Sequence, residues 1–158
     1  MNPSLYTLES CALFKTKKFS AIEVLLSKID YRIEEFLENE IVFSTIENSN
    51  RIGIILTGAV DVQKIFPNGK VVIIERKECS DVIGDSSIFS TYEYYPNSIC
   101  TCKCSKILFI SRADLLSLFS LDKICLLNFL ETTSNASLML NHKIGILSLN
   151  SIQEKIAG

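Results

Sequence analysis

The stretch VIGDSSIFSTYEYYPNSICT, Val82 to Thr101, has the parts of a cradle for a small molecule. It holds a strand end, a glycine followed by an acid, a short helix-prone piece, a loop and a new strand. Such a cradle usually holds a phosphate, and a phosphate is best gripped by an arginine fork. Between Gly84 and Lys103 there is no basic side chain. The polar groups on offer are Asp85, Ser86, Asn97 and Ser98, which suit a ligand less charged or more apolar than a phosphate. A second reading fills the pocket with the chain's own side chains, Phe89, Tyr92, Tyr94 or Tyr95. In a third, the turn merely closes the domain, since folds persist after their sites decay.

The other chemistry-bearing residues are cysteines and one histidine. Cys100, Cys102 and Cys104 alternate, as do residues on one face of a strand. Same-face neighbours along a strand are about 6.5–7 Å apart, too far for an easy disulfide and wide for a shared tetrahedral metal. The expectation is that the three line an apolar core, with a redox or metal sensor as the competing reading. Cys79, after Lys77 and beside an acid, reads as an exposed thiol. His142 is the only histidine, so a metal enzyme lacks its ligand set and a nucleophile lacks the usual base. No enzyme activity, metal or cofactor is expected.

Elements that could position these residues follow from periodicity. Ile22, Leu25, Leu26 and Ile29 place a helix over residues 20–38. From Ile41 to Ile110 the texture becomes short β-branched runs: IVFSTI, RIGIIL, AVDVQKIF, KVVIIE, SICTCKC and KILFI. Pro67-Asn68-Gly69 calls for a tight hairpin, because Asn-Gly accepts positive φ, and Thr57-Gly58 marks another tight connection. Many short strands with regular turns imply an antiparallel barrel or roll with flanking helices, a mainly β fold. A short helix over 112–119 follows, with Asp114 in its first turn. A longer one over 122–148 carries Leu126, Leu130, Thr133, Ser137, Leu140, Ile144 and Leu147 at alternating steps of four and three. That heptad seam predicts a homodimer; the alternative is packing back on the roll. Leu149-Asn150-Ser151 reads as a break before a new capped helix, with Ser151 at the cap and Glu154 three residues on.

Composition narrows the function classes. The 158 residues carry a net charge of −2 with 47% hydrophobic residues, enough for a real core and without the basic stripe of a nucleic-acid footprint. The start, MNPSLYTLES, does not read as a signal peptide, and no apolar run approaches a bilayer's thickness. A cytoplasmic location, no membrane contact and free thiols are expected.

The order IGIILTGAVDVQKIFPNGKVVIIERKECSDVIGD, YPNSICTCKCSKILFISRADLLSL, ILSLNSIQEKIA resembles the Crp/Fnr family of bacterial transcription regulators, from about Phe19 to the end. The resemblance implies three parts. Residues 1–120 would form N-terminal helices and a double-stranded β-helix, or jelly-roll, sensory domain. Residues 121–148 would form the dimerisation helix. Residues 149–158 would be a hinge and the truncated start of a winged helix-turn-helix, through which DNA is read. In members that bind cyclic AMP, Gly-Glu opens the cradle and Arg-Ser closes it. On that pattern Gly84-Asp85 keeps the first element with a shorter acid, and Asn97-Ser98 stands in the second without the arginine. Polar residues of the dimer helix reach the base in those members; the positions here are Leu140 and Asn141, of which Asn141 could make the contact. The resemblance thus implies an effector-binding homodimer with an unknown small-molecule effector and no tight grip on cyclic AMP. The alternative is a ligand-free protein-interaction or redox-responsive regulatory module.

Overall fold

A computed structural model describes residues 3–45, 50–91 and 97–157. Two 3-10 turns, Pro3–Ser10 and Ala12–Phe14, lead into helix α1, Phe19–Leu26. Among the described residues eight strands follow: β1 (Arg32–Phe36), β2 (Ile41–Phe43), β3 (Arg51–Thr57), β4 (Ala59–Ile65), β5 (Val71–Glu78), β6 (Val82–Ile83), β7 (Ser98–Thr101) and β8 (Ser105–Ser111). Helices α2 (Arg112–Leu121) and α3 (Lys123–Ala157) close the chain. The strands form two antiparallel four-stranded sheets, in the orders β1-β8-β3-β6 and β2-β7-β4-β5. Apart from the β4–β5 hairpin, consecutive strands switch sheets, so the pair makes the roll that the turn spacing predicts.

The run RIGIIL is apolar throughout because β3 is covered on both faces. Ile52, Ile54 and Leu56 meet the helices, in a core with Phe14, Ile22, Leu118 and Phe129. Ile55 points the other way, into the space between the sheets, with Phe43, Val60, Ile83, Ile99, Ile107 and Phe109. Period-two alternation sends successive residues to opposite cores. In the β4–β5 hairpin Gly69 takes φ +85, as the Asn-Gly pair requires. Beyond the roll's cover, Ile65, Val71, Ile73 and Ile74 on this hairpin stay half exposed.

Two expectations are corrected. The helix over 20–38 ends at Leu26, and Arg32–Phe36 is strand β1, paired with β8 from Arg32↔Phe109 to Phe36↔Ser105. RIEEF has no apolar alternation, so only its partner strand defines it. The break at 149–151 is absent, since α3 runs helical through those residues.

Asp122 joins α2 to α3. Its Oδ1 accepts from the Ile124 and Cys125 N–H groups at 2.8 and 3.2 Å, capping α3, while Oδ2 pairs with Lys17 Nζ at 2.5 Å. Both charged side chains are largely covered, at 12% and 16% exposure. The hydrogen bond from Lys17, helped by the two N–H groups, holds the Asp122 carboxyl below its ordinary value against the opposing effect of burial. An acid depressed in the folded state adds stability above its unfolded value, which is lost as pH falls through the folded one. Asp122→Ala should lower stability by about 1–2 kcal/mol, the usual range for a lost cap. Its urea midpoint should also fall less on acidification than the parent's. Urea melts at pH 7 and pH 3.5 check both. Further along, Asn128 is buried and its Nδ2 donates to Leu13 O at 3.2 Å, docking α3 on the N-terminal turns.

Among the described residues, no helix is long and apolar enough to cross a membrane.

Candidate functional site

The space between the sheets is lined mainly by apolar side chains. Phe109 meets Phe36 and Phe43 edge to face, with ring centroids 6.1 and 6.0 Å apart. The Arg51 guanidinium lies 3.7 Å over the Phe109 ring, and its Nη1 is 2.9 Å from Glu34 Oε2. These aromatics take up the roll interior more than the residues named from sequence do. Their signal was present as Phe36, Phe43 and Phe109 in or beside β-branched runs, but no spacing shows that three rings converge.

Gly84 follows β6 with φ +78. A Cβ there would meet Arg51 O and Phe43 Cε2, both at 3.1 Å, so glycine is required on both backbone and packing grounds. The chain then turns, with Ser87 and Ile88 N–H groups donating to Gly84 O at 3.3 and 3.2 Å. Asp85 is half-buried. Burial pushes its carboxyl above the ordinary value, while Lys77 and the N–H groups of Asp85 and Ser86 pull it back. An acid in that state is suited to accept a hydroxyl donor. Ser86 is exposed, and Ile88 is buried in the helix-side core.

Phe89 does not plug the roll. Its ring packs on Phe129 and Phe119 at 5.7 and 6.2 Å, on the helix side. Tyr92, Tyr94 and Tyr95 lie outside the described residues. Asn97 is half-buried just before β7. Ser98 opens that strand and pairs with Gln63; its hydroxyl donates to Phe43 O at 3.5 Å. Ser98 is buried, one residue before Ile99 of the inter-sheet core. Asn141 is exposed on α3. The structure thus sets Gly84 and Asp85 together at the roll, buries Ser98 beside Phe43, and leaves Asn141 exposed on α3.

The expectation that the three cysteines line the core is corrected. Strand β7 ends at Thr101, so Cys102 and Cys104 do not continue its alternation. Thr101 is the inward residue, its hydroxyl donating to Leu37 O at 2.5 Å and accepting from Glu40 N–H at 2.9 Å. Cys100 faces out beside Asp61, its cross-strand partner, and Cys104 is exposed. Burial pushes the Cys100 thiol up, and Asp61 adds to the shift. Asp61 itself is buried and held by Arg76 through Nε at 2.8 Å and Nη2 at 3.2 Å. Among the described residues, no three His, Cys, Asp or Glu side chains converge as metal ligands.

On α3, Leu126 packs against its own helix-side core, whereas Leu130, Leu140, Ile144 and Leu147 are 50–66% exposed. Thr133 turns its hydroxyl back to Phe129 O at 3.1 Å. Ser137 is exposed.

A family model for the cyclic nucleotide-binding domain matches residues 33–122, from β1 to the end of α2. Several solved structures share the fold. A transcriptional regulator from Thermotoga maritima is 27% identical, with a TM-score of 0.68 over 80% of this chain and 96% of that one. The catabolite activator protein of Thermus thermophilus is 14% identical, with a TM-score of 0.75 over 87% of this chain and 63% of that one. The sensor domain of the transcriptional regulator DNR from Pseudomonas aeruginosa is 18% identical, with a TM-score of 0.70 over 88% and 89%. No curated protein matches the sequence.

Proposed function

The chain belongs to the cyclic nucleotide-binding domain family, and from that premise we propose that it is the sensory and dimerisation portion of a Crp/Fnr-like transcription regulator. The roll takes a small effector, α3 pairs with a second copy, and occupancy changes the angle between the two helices. DNA is reached through a C-terminal winged helix-turn-helix, in the cytoplasm, and the module is not catalytic. The observation that carries this reading is the projecting half of α3. A helix leaving a folded roll with leucines and isoleucines half exposed along a heptad seam needs a partner to cover them.

The effector is not cyclic AMP at micromolar concentration. With Asn97 where the family's arginine stands, the phosphate loses a charge-assisted fork, a deficit of roughly 2–5 kcal/mol. That moves a micromolar ligand toward millimolar, at about 1.4 kcal/mol per tenfold. Calorimetry should give no saturable heat with cyclic AMP below about 100 μM, on the same scale. A micromolar isotherm would overturn this assignment.

A second reading is favoured by the Phe36, Phe109 and Phe43 cluster. The roll could be filled by its own rings and act only as a protein-interaction module. Thermal melts against nucleotides and small metabolites separate the two, since a true ligand raises the melting temperature by mass action.

A further inference from the structure

Strand β5 brings to the cradle a cation that the loop does not carry. Lys77 is the direct cross-strand partner of Val60, and Glu75 that of Val62. Opposed residues of an antiparallel pair share a face. Val60 belongs to the inter-sheet core and Val62 packs against it, so both charged residues stand on the inward face of the roll. Ile83 of the same core leads directly into Gly84 and Asp85. Consistent with that placement, Lys77 is the foremost charge drawing on the Asp85 carboxyl.

The lysine's resting partner is weakly held. Its Nζ is 3.9 Å from Glu75 Oε1, and the Glu75 side chain is 59% exposed against 25% for Lys77. A long single contact to a solvated carboxylate contributes little, and an incoming oxyanion can replace it.

We propose that Lys77 is the anion anchor of this cradle, and that its ligand is a small hydroxylated molecule with a terminal phosphate or carboxylate that displaces Glu75. The proposal rests on the roll being a ligand sensor. A lysine ammonium is a point charge with rotatable donors, not a planar fork. It suits a terminal oxyanion approached from one side better than a ring-locked diester. Glu75 and Asp85 both repel the anion. Glu75 does so through solvent, and a ligand hydroxyl gives Asp85 a donor, which is why the ligand class includes one.

Calorimetry on the whole chain with glycerol 3-phosphate, glycerate and glycerol tests this and tells phosphate from carboxylate. The parent protein should bind one of the two anions and not glycerol. Lys77→Gln should weaken that binding about ten- to a hundredfold, the range for a lost hydrogen bond to a charged group. Lys77→Arg should retain it, and Glu75→Gln should tighten it. Opposite signs from two neighbouring inward residues are not what a general loosening of the strand produces. Equal binding in the parent and Lys77→Gln would overturn the anchor and leave the sensor reading standing. So would binding of neither anion alongside a melting-point rise with some other metabolite. If no compound raises the melting point, both fall together.

Discussion

The double variant Leu140→Glu/Ile144→Glu should run as a single 17.7 kDa chain in light scattering, where the parent runs at twice that mass. Both side chains are more than half exposed in the isolated chain, at 58% and 52%, so their replacement leaves the roll's own packing untouched. In a two-fold pair the change removes four apolar side chains from one interface. Burying a leucine or isoleucine is worth about 1.5–3 kcal/mol, so even partial burial makes dissociation easier by on the order of a thousandfold. The four introduced carboxylates add like-charge repulsion. Thermal melts of the roll should shift little at low concentration, which separates lost association from lost folding. A variant that keeps the doubled mass would remove the seam from the interface, and a monomeric parent would remove α3's proposed role.

Gly58→Ala should have the largest effect on stability of any single methyl added to this chain. Gly58 joins β3 to β4 with φ +92, a region L-residues rarely adopt. A Cβ there would collide with Ser105 Oγ and would stand 2.5 Å from Cys104 O and 2.8 Å from Ser105 Cα. Two of those three atoms are backbone, so no rotamer change relieves the overlap. Moving Ser105 would also break what its hydroxyl does. It donates to Lys103 O at 2.8 Å and accepts from Ala59 N–H at 3.2 Å, tying the two sheets at one corner. Strained φ alone costs about 1–3 kcal/mol, and the backbone overlap adds to it, so the expected loss is about 3 kcal/mol or more. For a domain of this size that is a fall of roughly 10 °C in melting temperature. By contrast, Gly69 at the hairpin tip has open space around its Cβ position, so Gly69→Ala meets only the strain of its φ of +85. A melting temperature for Gly58→Ala within 2–3 °C of the parent, by the same scaling, would refute the packing argument.

The two glycines show how far sequence reading reaches. Asn68-Gly69 and Thr57-Gly58 both read as turns, since a residue that accepts positive φ is a local signal. That Gly69 is open and Gly58 is wedged against β8 is a long-range fact, because Ser105 lies 46 residues from Ala59.

Strand faces behave in the same way. In SICTCKC the cysteines alternate, and alternation says which residues share a face without saying which face is inward. Strand β4 on one side and the bend after Thr101 decide that Thr101 is buried and Cys100 is not. In KVVIIERKE the valines and isoleucines look like the inward residues. The hairpin extends past the stretch of β4 that pairs with β7, Val71 and Ile73 there are exposed, and the charged Glu75 and Lys77 fall opposite the core residues Val62 and Val60. The cation facing the cradle was therefore present in the sequence seven residues before Gly84 and could not be recognised there.

What the sequence by itself determined is whatever depends on a few neighbouring residues: the β texture between Ile41 and Ile110, the tight turns, the glycine–acid pair at Gly84-Asp85, and a long helix with an apolar seam. Only the tertiary structure decided that RIEEF is a strand, that Phe89 packs outward on Phe129, that three phenylalanines meet inside the roll, and that Lys77 faces the cradle. The physical reason is that propensity and periodicity act over one turn or one strand. The inward face of a strand, and the partner of a charge, are set by burial against elements dozens of residues away.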